Sequence, residues 1–319
     1  MSTVELLAPG EAGPDNPIWH ELRRTAVSAS EIAAVLGISP WESPFSLYWR
    51  KVNGWQVEAT DQMSTGTRLE PAIADWWADT HPEFVVRPAG LYGHSERPWQ
   101  LATPDRLVLA FVRPAVTELA ALLECKWTGS WDGWGDEGTD DIPVYYRAQG
   151  LQQADVLEVD EVHFAVLGPG GFRAYLVRRD EADLRVMRTA GAAFATRLIE
   201  DNPPDVDEHS ATLAALKRLH PELVDEEAEI SPATAAGYRR ARALKAAAGR
   251  LADRFEARLR AEMRDRRVAV HDGVKLASRS IYDTTRLDTT RLKAEQPEVA
   301  AAYATTSTTD RLTPARSKK

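Results

Sequence analysis

Apolar positions along this chain switch between two periods, and the switches outline its elements. In Thr65–Thr80 (TGTRLEPAIADWWADT), Leu69, Ile73, Trp76 and Trp77 recur at helical spacing, which predicts a helix. Another helix is expected over Pro44 to about Val52. Before it, WHELRRTAVSASEIAAVLGIS reads as a short segment leading into a helix. Ser28 and Glu31 make an S-x-x-E capping box there, and Gly37 suits the helix end. Alternating apolar runs then predict strands near Phe84–Val86, Gly90–Tyr92, Leu107–Val112 and Leu119–Trp127. A Gly/Trp/Asp-rich loop over 128–142 precedes a helix from about Tyr145 to Leu157. Val162–Leu167 and Phe172–Val177 flank GPGG, a hairpin signal, and Asp180–Asp201 reads as helix up to the break at Asn202–Asp205.

Beyond that break the pattern changes. Pro232–Arg267 reads as one long helix with Leu244, Ala248, Leu251, Phe255, Leu259 and Met263 as its apolar stripe and arginines opposite. A packed or paired helix with a solvated basic face is the expectation. A hairpin near Lys275–Tyr282, a small helix and a disordered tail (TPARSKK) complete the expected order. The domain division that follows is a flexible leader over 1–17, a main domain over 18–205 and a C-terminal extension over 206–319.

Composition narrows the class. At 319 residues, 44% hydrophobic and 27% charged, the chain is an ordinary globular protein. No apolar run approaches the ~20 residues that span a bilayer. The start, MSTVELLAPGEAGPDNP, lacks the basic-then-apolar order of a secretory signal. A single cysteine rules out an internal disulfide and suits a reducing cytoplasm. Net charge is -9, yet residues 231–319 carry 20 Lys+Arg against 10 Asp+Glu. The basic extension is therefore the electrostatic handle for any polyanion, and the acidic body would need metals or local cations to approach one.

The candidate chemistry lies in TPD at Thr103–Asp105 and ECK at Glu124–Lys126. Residues i and i+2 of a strand share a face, so Glu124 and Lys126 point into one site while Cys125 points away. The apolar run Leu119–Leu123 leads straight into them, and buried charges need partners. Two carboxylates can hold a divalent metal through oxygen, the ligand Mg²⁺ prefers. A neighbouring lysine can orient or deprotonate an attacking water. Those are the parts for metal-assisted phosphodiester hydrolysis. Glu70, on the predicted helix in G-x-x-x-E, could complete a metal site, although a lone helix glutamate is usually surface. Gln149 is placed to position water or phosphate, one turn after Tyr146, whereas Gln152 and Gln153 read as polar helix surface. Arg23 and Ser30 bracket a helix start, whose free N–H groups and positive dipole end suit an anion that an arginine could fork.

Taken together, WHELR and SASE, G-x-x-x-E at Gly66–Glu70, TPD, ECK and Y-x-x-Q at Tyr146–Gln149 resemble the YqaJ-like viral recombinase family. That family includes the phage lambda-type exonuclease and belongs to the PD-(D/E)xK nuclease superfamily. The resemblance covers about Trp19 to Val177. Asp288, Leu292 and QPEVAAAY also resemble the C-terminal part of phage and prophage members. It implies an α/β fold with a restriction-endonuclease-like core, a central mixed sheet flanked by helices, followed by a helical extension. It implies Asp105, Glu124 and the Cys125 backbone carbonyl as ligands of Mg²⁺, for which Mn²⁺ could substitute. Glu70 would serve the metal or its water shell. Lys126 would position or activate the water, and Gln149 would support the lysine or the scissile phosphate. Arg23 and Ser30 would match a 5′-phosphate pocket, with Thr103 and Tyr146 beside the DNA. The implied activity is 5′-to-3′ resection of double-stranded DNA ends in phage recombination, leaving 3′ strands for a single-strand annealing protein. A homotrimeric ring is the oligomer the resemblance allows. A nicking or structure-specific endonuclease and a non-catalytic DNA-binding assembly protein are the competing readings. Two departures stand out: Arg106 where the family usually has Gly, beside the metal, and Leu151 in place of a frequent polar residue. Neither removes a catalytic group.

Overall fold

The computed structural model describes residues 2–113, 115–307 and 309–315. By internal contacts it forms two compact units, Met1–Pro221 and Glu222–Lys319.

The first unit is built on a five-stranded mixed sheet in the order β3-β6-β7-β8-β9. Its strands are β3 (Phe84–Pro88), β6 (Arg106–Arg113), β7 (Val116–Trp127), β8 (Glu161–Gly168) and β9 (Gly171–Arg178). β7 and β8 run parallel and the other neighbours antiparallel. A parallel pair needs a crossover, and α5 (Val144–Leu157) provides it. A four-stranded sheet, β1 (Thr3–Leu7), β4 (Leu91–His94), β5 (Arg97–Ala102) and β2 (Val27–Ser28), stands beside it.

Alternation along β7 decides what lies on each side. Ala121, Leu123 and Cys125 pack with Ile73, Ala74 and Trp77 of α4 (Asp61–Thr80). Leu122 faces the other way, into a core with Leu151, Ala154, Phe164 and Val166 under α5. Glu124 and Lys126 share that second face by their period of two. The expected core, a central mixed sheet flanked by helices, is present.

Several expectations need correcting. Thr3–Leu7 lies within the expected flexible leader, yet it pairs antiparallel with β4 and Leu7 is buried. Its TVELL pattern is too short to read as a strand without the partner edge. β5 went unread because Pro98, Trp99 and Gln100 break its alternation. The first unit continues past Asp205 through α7 (Ser210–Leu219). That helix docks on α3 (Pro44–Val52) through the buried Ser43–Thr212 hydroxyl pair at 2.6 Å.

In the second unit, α8 (Pro232–Met263) spans most of the expected long helix. Leu244, Leu251 and Phe255 remain exposed, so its stripe is not packed as expected. The hairpin falls earlier than expected, at β9's successors β10 (Val268–His271) and β11 (Val274–Ser278). Asp272 and Gly273 both have positive φ, the Asp-Gly turn that the sequence displays between those strands. Two short helices follow, Thr289–Glu295 and Pro297–Ala302. Residues 316–319 of the tail expected to be disordered lie outside the described residues.

Candidate active site

Asp105 sits at the entry to β6, opposite the end of β7 that carries Glu124 and Lys126. Its Oδ2 accepts the Cys125 backbone N–H at 2.7 Å, so the two segments are tied at the carboxylates. Glu124 is 2% exposed. A buried carboxylate must be saturated with donors, and three side chains supply them. Lys126 Nζ and Gln149 Nε2 both donate to Oε1 at 2.5 Å, and Gln153 Nε2 donates to Oε2 at 2.8 Å. The Tyr146 ring stands with its centroid 5.0 Å from Lys126 Nζ.

The electrostatics show an excess of negative charge. Burial pushes the Asp105 carboxyl well above its usual range, and the neighbouring Glu124 and Glu70 carboxylates push it further. Lys126 and the Cys125 N–H only partly oppose this. Burial by itself would lower Lys126, but Glu124 and Asp105 outweigh it and hold the amine above its usual value. In this arrangement Lys126 donates to Glu124.

Glu70 reaches this region from α4, on the sheet face opposite Glu124. Arg106 Nη1 donates to Glu70 Oε1 and to the Asp105 backbone carbonyl, each at 2.7 Å. The residue that departs from the family pattern thus ties Glu70 to the Asp105 turn. Among the described residues no three His, Cys, Asp or Glu side chains gather around one point. The donors available to a hard cation are therefore the Asp105 and Glu124 carboxylates plus backbone oxygen. Thr103 Oγ1 is buried beside Asp105 without a hydrogen-bond partner in the chain. Two close carboxylates whose charge the chain does not balance, next to an orphaned hydroxyl, fit a divalent ion with its water shell.

Arg23 and Ser30 form a second cluster. Arg23 Nη2 donates to Ser30 Oγ at 3.4 Å, and Ser28 and Ser30 hydroxyls lie 3.2 Å apart. The capping box is present, with the Ser28 N–H donating to Glu31 Oε2 at 3.0 Å. Its helix is only a 3₁₀ turn (Ala29–Glu31) and α2 (Ile32–Val35), so little macrodipole is available. Side chains supply the charge instead. Glu31 is buried and pairs with Lys51 (2.8 Å), Arg50 (3.0 Å) and Arg23 (3.3 Å). Burial would raise Glu31, but Lys51, Arg23 and Arg50 hold it well below its usual range. Arg50 and Lys51 escaped sequence reading, and Glu31 was legible only as a capping residue, because the three come together only when α3 packs beside the turn.

Helix α5 serves both clusters. Gln149 and Gln153 turn to Glu124, while Gln152 Nε2 donates to the backbone carbonyls of Val27 (2.8 Å) and Leu101 (3.2 Å). Gln152 and Gln153 are 1% and 0% exposed, which corrects their reading as helix surface.

The mixed α/β core carries Asp105 at the entry to β6 and Glu124 with Lys126 on β7, beside the cations gathered around Glu31. Residues 18–159 match the model of the YqaJ-like viral recombinase domain. Over 295 residues, 88% of each chain, this protein is 25% identical to the uncharacterized protein YqaJ of Bacillus subtilis (strain 168). Among solved structures it is similar to the alkaline exonuclease LHK-Exo of Laribacter hongkongensis. That match has 21% identity, a TM-score of 0.47, and covers 65% of this chain and 99% of that one. A phage-related exonuclease from Haemophilus somnus 129PT matches at 10% identity and a TM-score of 0.39, covering 55% of this chain and 96% of that one.

Proposed function

We propose that this chain is a divalent-metal-dependent deoxyribonuclease that resects double-stranded DNA from its 5′ ends. The observation that carries the reading is the half-buried Asp105 beside the buried Glu124, with Lys126 bonded to Glu124. The match of residues 18–159 to the YqaJ-like viral recombinase domain agrees with it.

Asp105, Glu124 and the Cys125 carbonyl would hold Mg²⁺, or Mn²⁺ in its place, with Glu70 beside its water shell. The metal would lower the pKa of a bound water and offset charge on the phosphate. The chain's own residues do the positioning. Gln149 and Gln153 fix the Glu124 carboxylate, and Arg106 fixes the Asp105 turn. Lys126, charged and braced by the Tyr146 ring, donates to the attacking water or the scissile phosphate. Arg23 and Ser30 hold the 5′-phosphate, a bidentate partner suited to a guanidinium. Thr103 offers its hydroxyl next to the reacting group. In the cell we place this activity in the cytoplasm, in phage-type recombination, with a single-strand annealing protein receiving the 3′ strand and a trimeric ring as the assembly.

The test is digestion of end-labelled linear duplex in Mg²⁺, with and without a 5′-phosphate, beside a closed circular control and a chelator arm. Resection of the 5′-phosphorylated strand, abolished by chelator and absent on the circle, is expected. Cutting of the circle would assign an endonuclease instead. No cleavage of any substrate would leave the non-catalytic reading.

A further inference from the structure

Trp41 is the unexplained residue nearest to this machinery. It lies in the loop between α2 and α3 and is 62% exposed, although a tryptophan gains more than most residues from burial. Its loop is nonetheless fixed. The Ser39 hydroxyl accepts the backbone N–H groups of Trp41 and Glu42, both at 3.2 Å. Glu42 in turn pairs with Arg50 at 2.7 Å, and Arg50 pairs with Glu31, the partner of Arg23. On its other side the Trp41 ring meets Tyr145 edge-to-face at 4.8 Å, and Tyr146, the ring beside Lys126, at 6.2 Å. Trp41 therefore stands between the Arg23–Ser30 cluster and the Lys126 centre, joined to each by one chain of contacts. Its edge-to-face pairing leaves ring surface open to solvent.

We infer that Trp41, backed by Tyr145, is a stacking platform for a nucleobase at the 5′ end of the strand being cut. The inference rests on the nuclease reading and assigns it a residue. Trp41 is linked by these contacts both to Arg23 and to the ring beside Lys126, so an unpaired base of a strand joining the two can stack on it. Stacking on an exposed, pre-positioned aromatic replaces part of the stacking lost in the duplex. Every base has a π-face, so the contact is sequence-tolerant.

The experiment measures binding in Ca²⁺, which holds DNA without supporting cleavage, for wild type, Trp41→Ala and Trp41→Phe. The probes are a 5′-phosphorylated duplex and three versions with a tetrahydrofuran abasic unit at the first, second or third nucleotide of that strand. Trp41→Ala is expected to weaken binding of the intact duplex about tenfold, in the range for loss of one base–aromatic stack. At one position the abasic unit should cost wild type a similar factor and cost Trp41→Ala almost nothing more, while Trp41→Phe keeps most of the affinity. Losses that multiply at all three positions, or an unchanged Trp41→Ala, overturn the platform while leaving the nuclease reading intact. Failure of wild type both to bind duplex ends in Ca²⁺ and to digest them in Mg²⁺ overturns both.

Discussion

At the scale of single residues, Lys126 separates positioning from binding. It lies on Glu124, and two carboxylates hold it charged. Lys126→Ala should abolish Mg²⁺-dependent cleavage while retaining duplex binding within a few-fold, measured by single-turnover digestion and by anisotropy. Normal turnover by that variant would remove the residue from the mechanism. Arg23 poses a different question, because it bonds Glu31 and Ser30 at once. Arg23→Ala should slow resection of 5′-phosphorylated ends tenfold or more, the scale of one lost charge-assisted bond. Unphosphorylated ends should be nearly unaffected; equal losses on both would show that it only supports the fold. The residues that make these sites are legible to different degrees. Asp105, Glu124 and Lys126 announce themselves as charge following an apolar run. Glu31, Lys51 and Gln153 look like ordinary helix polarity until their burial is known.

Among the elements, α5 decides most. It crosses between parallel strands β7 and β8 and is buried from Gly150 to Leu157. A helix enclosed on several sides has no apolar stripe, which is why its glutamines read as surface. Its close approach to β8 depends on Gly150. A Cβ there would lie 2.8 Å from the Phe164 ring, whose side chain is fully buried. Gly150→Val should cost about 1–3 kcal/mol by overpacking and lower the melting temperature by several degrees. An unchanged melting temperature would mean that α5 packs less tightly than the geometry requires. Its strands read more easily. β7, β8 and β9 alternate and are punctuated by GPGG, whereas β1 depends on β4 to supply its hydrogen bonds and one buried edge.

For the whole molecule, stability should carry a pH signature from His163. It is packed by Trp77, at 4.9 Å between ring centroids, and burial lowers its pKa to about 4. Glu161 and Glu83 oppose that shift, while His81 and Arg178 add to it. The folded chain holds the imidazole neutral and the unfolded chain protonates it near its ordinary value of 6.5. This contribution is therefore complete above about pH 6.5 and is lost as pH falls toward 4, up to ~3 kcal/mol. His163→Phe should flatten the stability profile between pH 6.5 and 4.5 in thermal melts. Glu31 and Asp155 have lowered pKa values, so their contributions are lost from the ordinary carboxylate range, near 4.5 and 3.8, downward, below most of the His163 window. An unaltered slope in the variant would assign the signature to other groups.

By itself the sequence determined the order of most elements, the face shared by Glu124 and Lys126, and the match of residues 18–159 to the YqaJ-like domain. These follow from local periodicity and from motifs that keep their spacing along the chain. Tertiary structure alone decided who partners whom. It set Gln149 and Gln153 on Glu124, Arg106 on Glu70, three cations on Glu31, and Trp41 between the two clusters. Such contacts join segments far apart in sequence, and a buried charge selects its partners only after packing has excluded water.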